Sequence, residues 1–271
     1  MPNDKPQALS FGNQLKYWRK VANQSQLDLA LSCDTSSRHL SCVETERAHP
    51  SRHLLLRLCS ALEIPLRVRN NILISAGYSP IYEETGLSEP EMAEARVVFE
   101  KILNLNNPYP AMLLDRNMDI LMCNEGFDSF ARFFVKDQSI LEEGNWNLLY
   151  LLFDPRGMAS NITNLESAYT TMTERAKRNL IVGSSDRLTA ILDDIAQYRP
   201  AEDLSNKPNI AQLIMPLHLK KNDVELDLFT MSATMGVPLN LTLQELHLEC
   251  GYAVNEAGEQ ALRKIYEKMA N

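Results

Sequence analysis

The chain has 271 residues, 45% of them hydrophobic and 23% charged, a mixture that excludes a disordered chain or a fibre and leaves room for two globular domains. Its net charge of -8 is unevenly spread: residues 1–78 carry 10 Lys and Arg against 6 Asp and Glu, and residues 79–271 carry 17 against 29. No apolar run is long enough to span a bilayer and Met1 to Pro6 lacks an apolar signal core, so a cytoplasmic protein without a membrane span is expected.

Phe11 to Val21 has helical spacing, with Phe11, Leu15 and Trp18 on one face. A second helix starts at Gln26, capped by Ser25, and is expected to turn Leu27, Ala30 and Leu31 inward. The break Ser32 to Thr35 contains Asp34, a residue that tolerates left-handed backbone. Ser36 then caps a third helix with Leu40 and Val43 inward and Ser37, Arg38, Ser41 and Cys42 outward. Two short helices around so tight a turn fit a helix-turn-helix, whose second helix can enter a DNA major groove. On spacing alone, an amphipathic helical hairpin that binds no DNA fits equally well.

Ser51 caps a fourth helix with Leu54, Leu55, Leu58 and Leu62 inward, and Pro65 opens a fifth that runs to Ser75 and is stopped by Gly77. Tyr78 to Pro90 has linker composition, and Glu91 to Leu105 is helical again. That helix suits a connector, a dimer seam or packing on its own domain. Ala111 to Asp115 and Asp119 to Asn124 then flank a turn at Arg116-Asn117, as in a hairpin. Helices are predicted over Glu125 to Val135, Leu148 to Phe153, Asn161 to Leu180 and Ser185 to Tyr198. Strands follow over Ile210 to Leu219, Glu225 to Met235 and Leu239 to Gly251, turning at Asn222-Asp223 and at Gly236 to Pro238, before a helix from Glu256 to Lys268. A phase slip at Gln244-Glu245 predicts a bulge in the last strand. Two strands, a helical insert and three antiparallel strands form the order of a PAS-like domain.

Gln26 to Glu44, followed by Arg47 and Ser51-Arg52, resembles the helix-turn-helix of phage-repressor (XRE) type. The longer string from Arg38 to Glu44, through Pro50 to Arg52, to Ala76 to Pro80 is similar to the MmyB-like branch of bacterial transcription regulators, and Tyr109 to Ala111 and Thr242 to Leu246 extend the likeness. The expected fold class is multi-domain: an all-α helix-turn-helix domain over 1–78, a linker and connecting helix over 79–106, and an α+β PAS-like domain with an antiparallel sheet over 107–271. The resemblance implies the same PAS-like fold, an ion pair between Arg19 and Glu44 across the domain, a phosphate contact from Gln26, and a C-terminal domain that binds a small hydrophobic molecule such as a fatty acid.

The expected partners are therefore double-stranded DNA, a hydrophobic effector and a second copy of the chain. Ser37, Arg38, Ser41 and Cys42 are the expected base contacts, with Arg38 suited to guanine O6 and N7. Gln26, Thr45, Arg47, Ser51 and Arg52 are expected to hold phosphates. Phe127, Phe130, Phe134, Trp146, Leu149, Phe153, Phe229 and Met231 are candidates for lining an effector pocket, though an aromatic stripe at helical spacing also builds plain core. The alternative is a protein-interaction or dimerisation module without a ligand.

Neither catalysis, a cofactor nor a metal is expected. His49 and His53 are spaced i, i+4 but flank Pro50 and have no third ligand in sequence; Asp193 and Asp194 diverge on a helix; and His247 and Glu249 are read as a solvated polar face. The five cysteines, with no Cys-x-x-Cys pair, are read as buried or half-buried thiols.

Overall fold

The computed structural model describes residues 10–144, 146–201, 216–236, 238 and 240–269. The chain divides into two units, and the first continues beyond residue 78 to Glu84, with Ile181–Ser184 and Pro238–Leu241 joining it. Asn70 explains the continuation. Its Oδ1 accepts from the backbone N–H groups of Ile81 and Tyr82, and its Nδ2 donates to the Tyr82 carbonyl at 2.8 Å.

Five helices form the first unit: α1 (Phe11–Val21), α2 (Gln26–Ser32), α3 (Ser37–Glu44), α4 (Arg52–Ala61) and α5 (Leu66–Ser75). Ser25, Ser36 and Ser51 each accept a backbone N–H at their helix start, and Asp28 completes a capping box with Ser25. Such a cap contributes about 0.5–2 kcal/mol. Asp34, at φ 44°, turns the chain between α2 and α3, and Gly77, at φ 77°, follows α5. Leu15, Leu29, Leu40, Leu55, Leu58, Ile72 and Leu73 make the fully buried centre.

The inward face of α2 departs from the sequence expectation. Leu27 and Leu31 are 57% and 68% exposed, whereas Leu29 and Ala30 are buried beside Cys33. Three leucines at alternate positions fan around a helix by about 200°, so they cannot all face one core. The cluster Leu29, Ala30 and Cys33 supplies the i, i+1, i+4 face instead.

Gly12 sets how closely α1 crosses α3. A Cβ there would lie 2.7 Å from the Glu44 carbonyl oxygen and 2.8 Å from that of Val43. Gly12→Ala is expected to destabilise the first unit by about 1–3 kcal/mol, because neither atom is a flexible side-chain end. An unchanged urea midpoint would refute this.

The second unit is built on an antiparallel sheet of β1 (Ala111–Leu114), β2 (Ile120–Cys123), β3 (Leu217–Lys221), β4 (Val224–Ala233) and β5 (His247–Ala253), in the order β2-β1-β5-β4-β3. Asn222, at φ 52°, makes the β3–β4 turn. The sheet is covered on both faces. α6 (Ala93–Leu105) sets Phe99 and Leu103 against Leu113, Ala111 and Cys250. The opposite face receives α7 (Glu125–Phe134), α9 (Leu148–Phe153), α10 (Leu165–Val182) and α13 (Glu256–Met269); α8 (Ser139–Glu142), a short turn not read from the sequence, and α11 (Asp186–Ala196) pack around them.

Buried Asn124 ties these layers together. Its Oδ1 accepts from the backbone N–H groups of Phe127 and Ala111, capping α7, while its Nδ2 donates to the Leu103 and Tyr109 carbonyls.

The predicted strand Leu239 to Gly251 is in fact two elements: α12 (Leu241–Glu245) and then β5. The phase slip at Gln244-Glu245 is therefore a helix-to-strand junction rather than a bulge. Leu241 and Leu246 are both buried, so the apolar pattern survives while the backbone period changes. Leu239, Val237 and the first part of the predicted strand from Ile210, up to residue 215, lie outside the described residues.

Candidate functional sites

In the first unit, the side chains at issue lie on α3 and its flanks. Arg38 is exposed near the start of α3, Ser37, Ser41 and Cys42 are half-buried, and Thr45, Arg47, Ser51 and Arg52 are exposed after it. Arg57 and Arg67 are paired with Asp34 and Glu84. Among the described residues, Arg38, Arg47 and Arg52 have no acidic partner and so remain available to an anion. His39 donates its backbone N–H to Ser36 as part of the cap.

Beneath this surface, Arg19 grips Glu44 in a bidentate pair, with Nε to Oε1 at 2.6 Å and Nη2 to Oε2 at 2.9 Å, and Nη1 donates to the Gln24 carbonyl. Gln26 Nε2 also donates to Glu44 Oε2 at 2.8 Å, so its amide reaches inward as well as standing at the start of α2. Burial pushes the Glu44 carboxyl up, but the Arg19 and Gln26 hydrogen bonds and the Arg19 charge outweigh that and hold it below its ordinary value. The last turn of α3 is thereby fixed to α1 and α2.

In the second unit, a cavity of about 370 Å³ lies between the sheet and helices α7, α9 and α10, within the range of roughly 300–1,000 Å³ usual for small-molecule sites. The strands contribute Met112, Leu228 and Gly251, α7 contributes Phe127 and Phe130, α9 contributes Leu148 and Leu152, and α10 contributes Ala168 and Met172. Exposed Thr171, Thr230 and Ser232 mark where it opens. Methionines on the wall can refit to ligands of differing shape.

Of the aromatic and apolar candidates, Phe127 and Phe130 line this cavity; Phe229 borders it along β4, but it pairs with Tyr252, so its side chain turns to the other face of the sheet. Phe134, Leu149 and Phe153 are fully buried core instead; Phe134 packs at a tilt against Phe130, ring centres 4.9 Å apart, and Phe153 packs edge-on against Tyr169. Met231 is 52% exposed and pairs with Cys250, which places it on the opposite face of the sheet. Trp146 borders a separate polar hollow, its Nε1 donating to the Leu141 carbonyl. The groups of that hollow are paired with one another: Tyr150 donates to Asp194 at 2.7 Å, and Arg156 pairs with Glu143 and Asp154. Burial, with Asp194, pushes the Tyr150 phenol up to about 12, so it stays protonated at neutral pH.

The polar end of the apolar cavity was not anticipated. Glu249, expected in a solvated face, is only 2% exposed, lines the cavity and is ion-paired with Arg175 from α10. β5 is an inner strand between β1 and β4, so its Glu249 side is roofed by helices rather than by water. In sequence, only the odd charge within an apolar strand signalled it. His247, on the same face, is held below its ordinary value by burial and by the Arg175 charge.

The remaining candidates play structural parts. His49 Nε2 lies 2.9 Å from the Ala76 carbonyl and His53 is exposed; no cluster of three metal-ligating side chains occurs among the described residues. Cys33, Cys59 and Cys250 are buried, and burial pushes the Cys59 thiol up to about 12 and the half-buried Cys123 thiol up to about 11, away from thiolate chemistry.

A family model described as the MmyB-like transcription regulator ligand binding domain matches residues 95–265, more than half of the chain. No curated protein matches the chain.

Proposed function

The chain belongs to the family of MmyB-like transcription regulators, whose ligand binding domain it carries, and from that premise we propose that it is a sequence-specific DNA-binding regulator controlled by a small hydrophobic effector. The α2–α3 pair is the helix-turn-helix of XRE type, with α3 in the major groove. Arg38, with Ser37, Ser41 and Cys42, reads base edges, and Thr45, Arg47, Ser51 and Arg52, with the N-terminal end of α2 at Gln26, hold phosphates. The second unit is a PAS-like sensor, and the order β2-β1-β5-β4-β3 supports that reading.

The single observation that carries the sensor reading is the apolar cavity inside the family-matched region. A body of fatty-acyl type fits its Phe, Leu and Met walls. Such a ligand, by binding one arrangement of the domain better than another, shifts the spacing of two α3 helices in a homodimer. Val97, Val98 and Leu105 of α6 are each more than half exposed and support a surface for the second copy.

Filling the cavity tests the reading. Met172→Trp is expected to abolish apolar ligand carried through native purification, as read by mass spectrometry, with the melting temperature unchanged within a few degrees. Ligand retained by the filled variant, or an empty wild-type protein that binds no alkyl probe, sinks the effector and favours a protein-interaction module. Loss of preference among DNA sequences is tested separately through Arg38 and Arg47.

A further inference from the structure

We propose that the effector carries an uncharged head group that both donates and accepts a hydrogen bond, such as an alcohol or a primary amide, and that Arg175 and Glu249 receive it together. The proposal rests on the sensor reading above and narrows its ligand class.

The argument is one of charge. Arg175 and Glu249 are the only ionisable side chains that line the cavity among the described residues, and they neutralise each other. A carboxylate entering beside them brings a second negative charge next to a buried one, with a single guanidinium to share. Two carboxylates in one low-dielectric site repel strongly. Among the described residues no further cation lines the cavity, and His247, on the same face of β5, is kept in its neutral form by burial and by Arg175 itself. A neutral head leaves the balance intact.

The bonding capacity points the same way. Oε1 of Glu249 is held by the Arg175 guanidinium, and the carboxylate, almost wholly out of water, still has lone pairs to offer a donor from the cavity. Arg175 contributes donors and no acceptor. A hydroxyl or amide satisfies both partners at once, whereas a carboxylate can only accept. The neighbouring strand sets Ser232 directly beside Glu249, next to the exposed mouth, so the head lies near the opening and the alkyl body runs inward to Phe127 and Phe130.

The test uses ligands of one chain length on the full-length protein: dodecanoate, dodecan-1-ol and dodecanamide, titrated at about pH 8, where a carboxylic acid is ionised. The alcohol and the amide are expected to bind at least about tenfold more tightly than the acid. Glu249→Gln removes the competing charge and keeps the shape, and is expected to strengthen dodecanoate about tenfold while leaving the alcohol within about twofold. Dodecanoate binding as tightly as the neutral ligands to the wild-type protein overturns the proposal and leaves the apolar sensor standing. Binding of none of the three overturns both. The wild-type comparison decides the matter even if Glu249→Gln fails to fold.

Discussion

Arg38→Ala is expected to erase most of the protein's preference among DNA sequences while leaving its affinity for random duplex nearly intact. A bidentate contact from arginine to guanine O6 and N7 contributes about 1–3 kcal/mol of discrimination, on the order of 5- to 150-fold against the wrong base. Arg38 is placed for such a contact: exposed at the start of α3, with no acidic partner among the described residues. Arg47→Ala is the informative contrast. A phosphate contact carries no sequence information, so its loss is expected to weaken all duplexes alike and to reduce the salt slope by about one. A binding sequence selected from random duplexes, then measured against competitor DNA at two salt concentrations, separates the two effects. Full preference retained by Arg38→Ala would falsify its role as base reader.

Removing Arg19 is expected to have the largest effect on stability. Glu44, 3% exposed, would be left as a buried carboxylate with only Gln26 to hold it. Breaking a buried pair from one side costs about 3–5 kcal/mol, enough to unfold a small helical unit near its working temperature. Replacing both partners, as Arg19→Met with Glu44→Leu, is expected to recover most of that loss, because neither charge then remains buried. The two tryptophans of the chain fall one in each unit, so Trp18 fluorescence in a Trp146→Phe background reports unfolding of the first unit alone.

The same pair gives a pH dependence. The folded Glu44 carboxyl lies below its ordinary value of 4.5, so its stabilisation is complete above about pH 4.5 and is lost as pH falls through the lower folded value. Glu44→Gln is expected to flatten the acid limb of the stability curve. An acid limb identical in wild type and variant would show that Glu44 contributes nothing there.

Glu249 and Arg175 form a second buried pair, but their setting differs. Arg19 and Glu44 sit within the packed helices of the first unit, where Gln26 adds a further bond to Glu44. Glu249 and Arg175 face a cavity, where the carboxylate keeps lone pairs beyond those the guanidinium takes. The first arrangement holds α3 in place; the second leaves bonding capacity for a ligand.

Local signals were legible in the sequence because they act over a few residues. Ser25, Ser36 and Ser51 mark helix starts by bonding N–H groups three positions on, and Asp34 and Asn222 mark turns because their side chains tolerate positive φ. The helices from Phe11 to Ser75 and the strand pair around Arg116-Asn117 followed from such signals, and the MmyB-like resemblance from longer residue strings such as Arg38 to Glu44 and Thr242 to Leu246. Tertiary structure alone decided which way ambiguous faces turn. Leu27 and Leu31 carry the same apolar chemistry as Leu29, yet only Leu29 meets the core. Phe127, Phe130 and Phe134 share one helical stripe, yet only the first two border the cavity. Periodicity says that a face is buried, not whether it meets side chains or space. Glu249 is the sharpest case: its strand position and its partner on α10 are far apart in the chain, and burial on an inner strand turned an apparently solvated charge into the polar end of an apolar site.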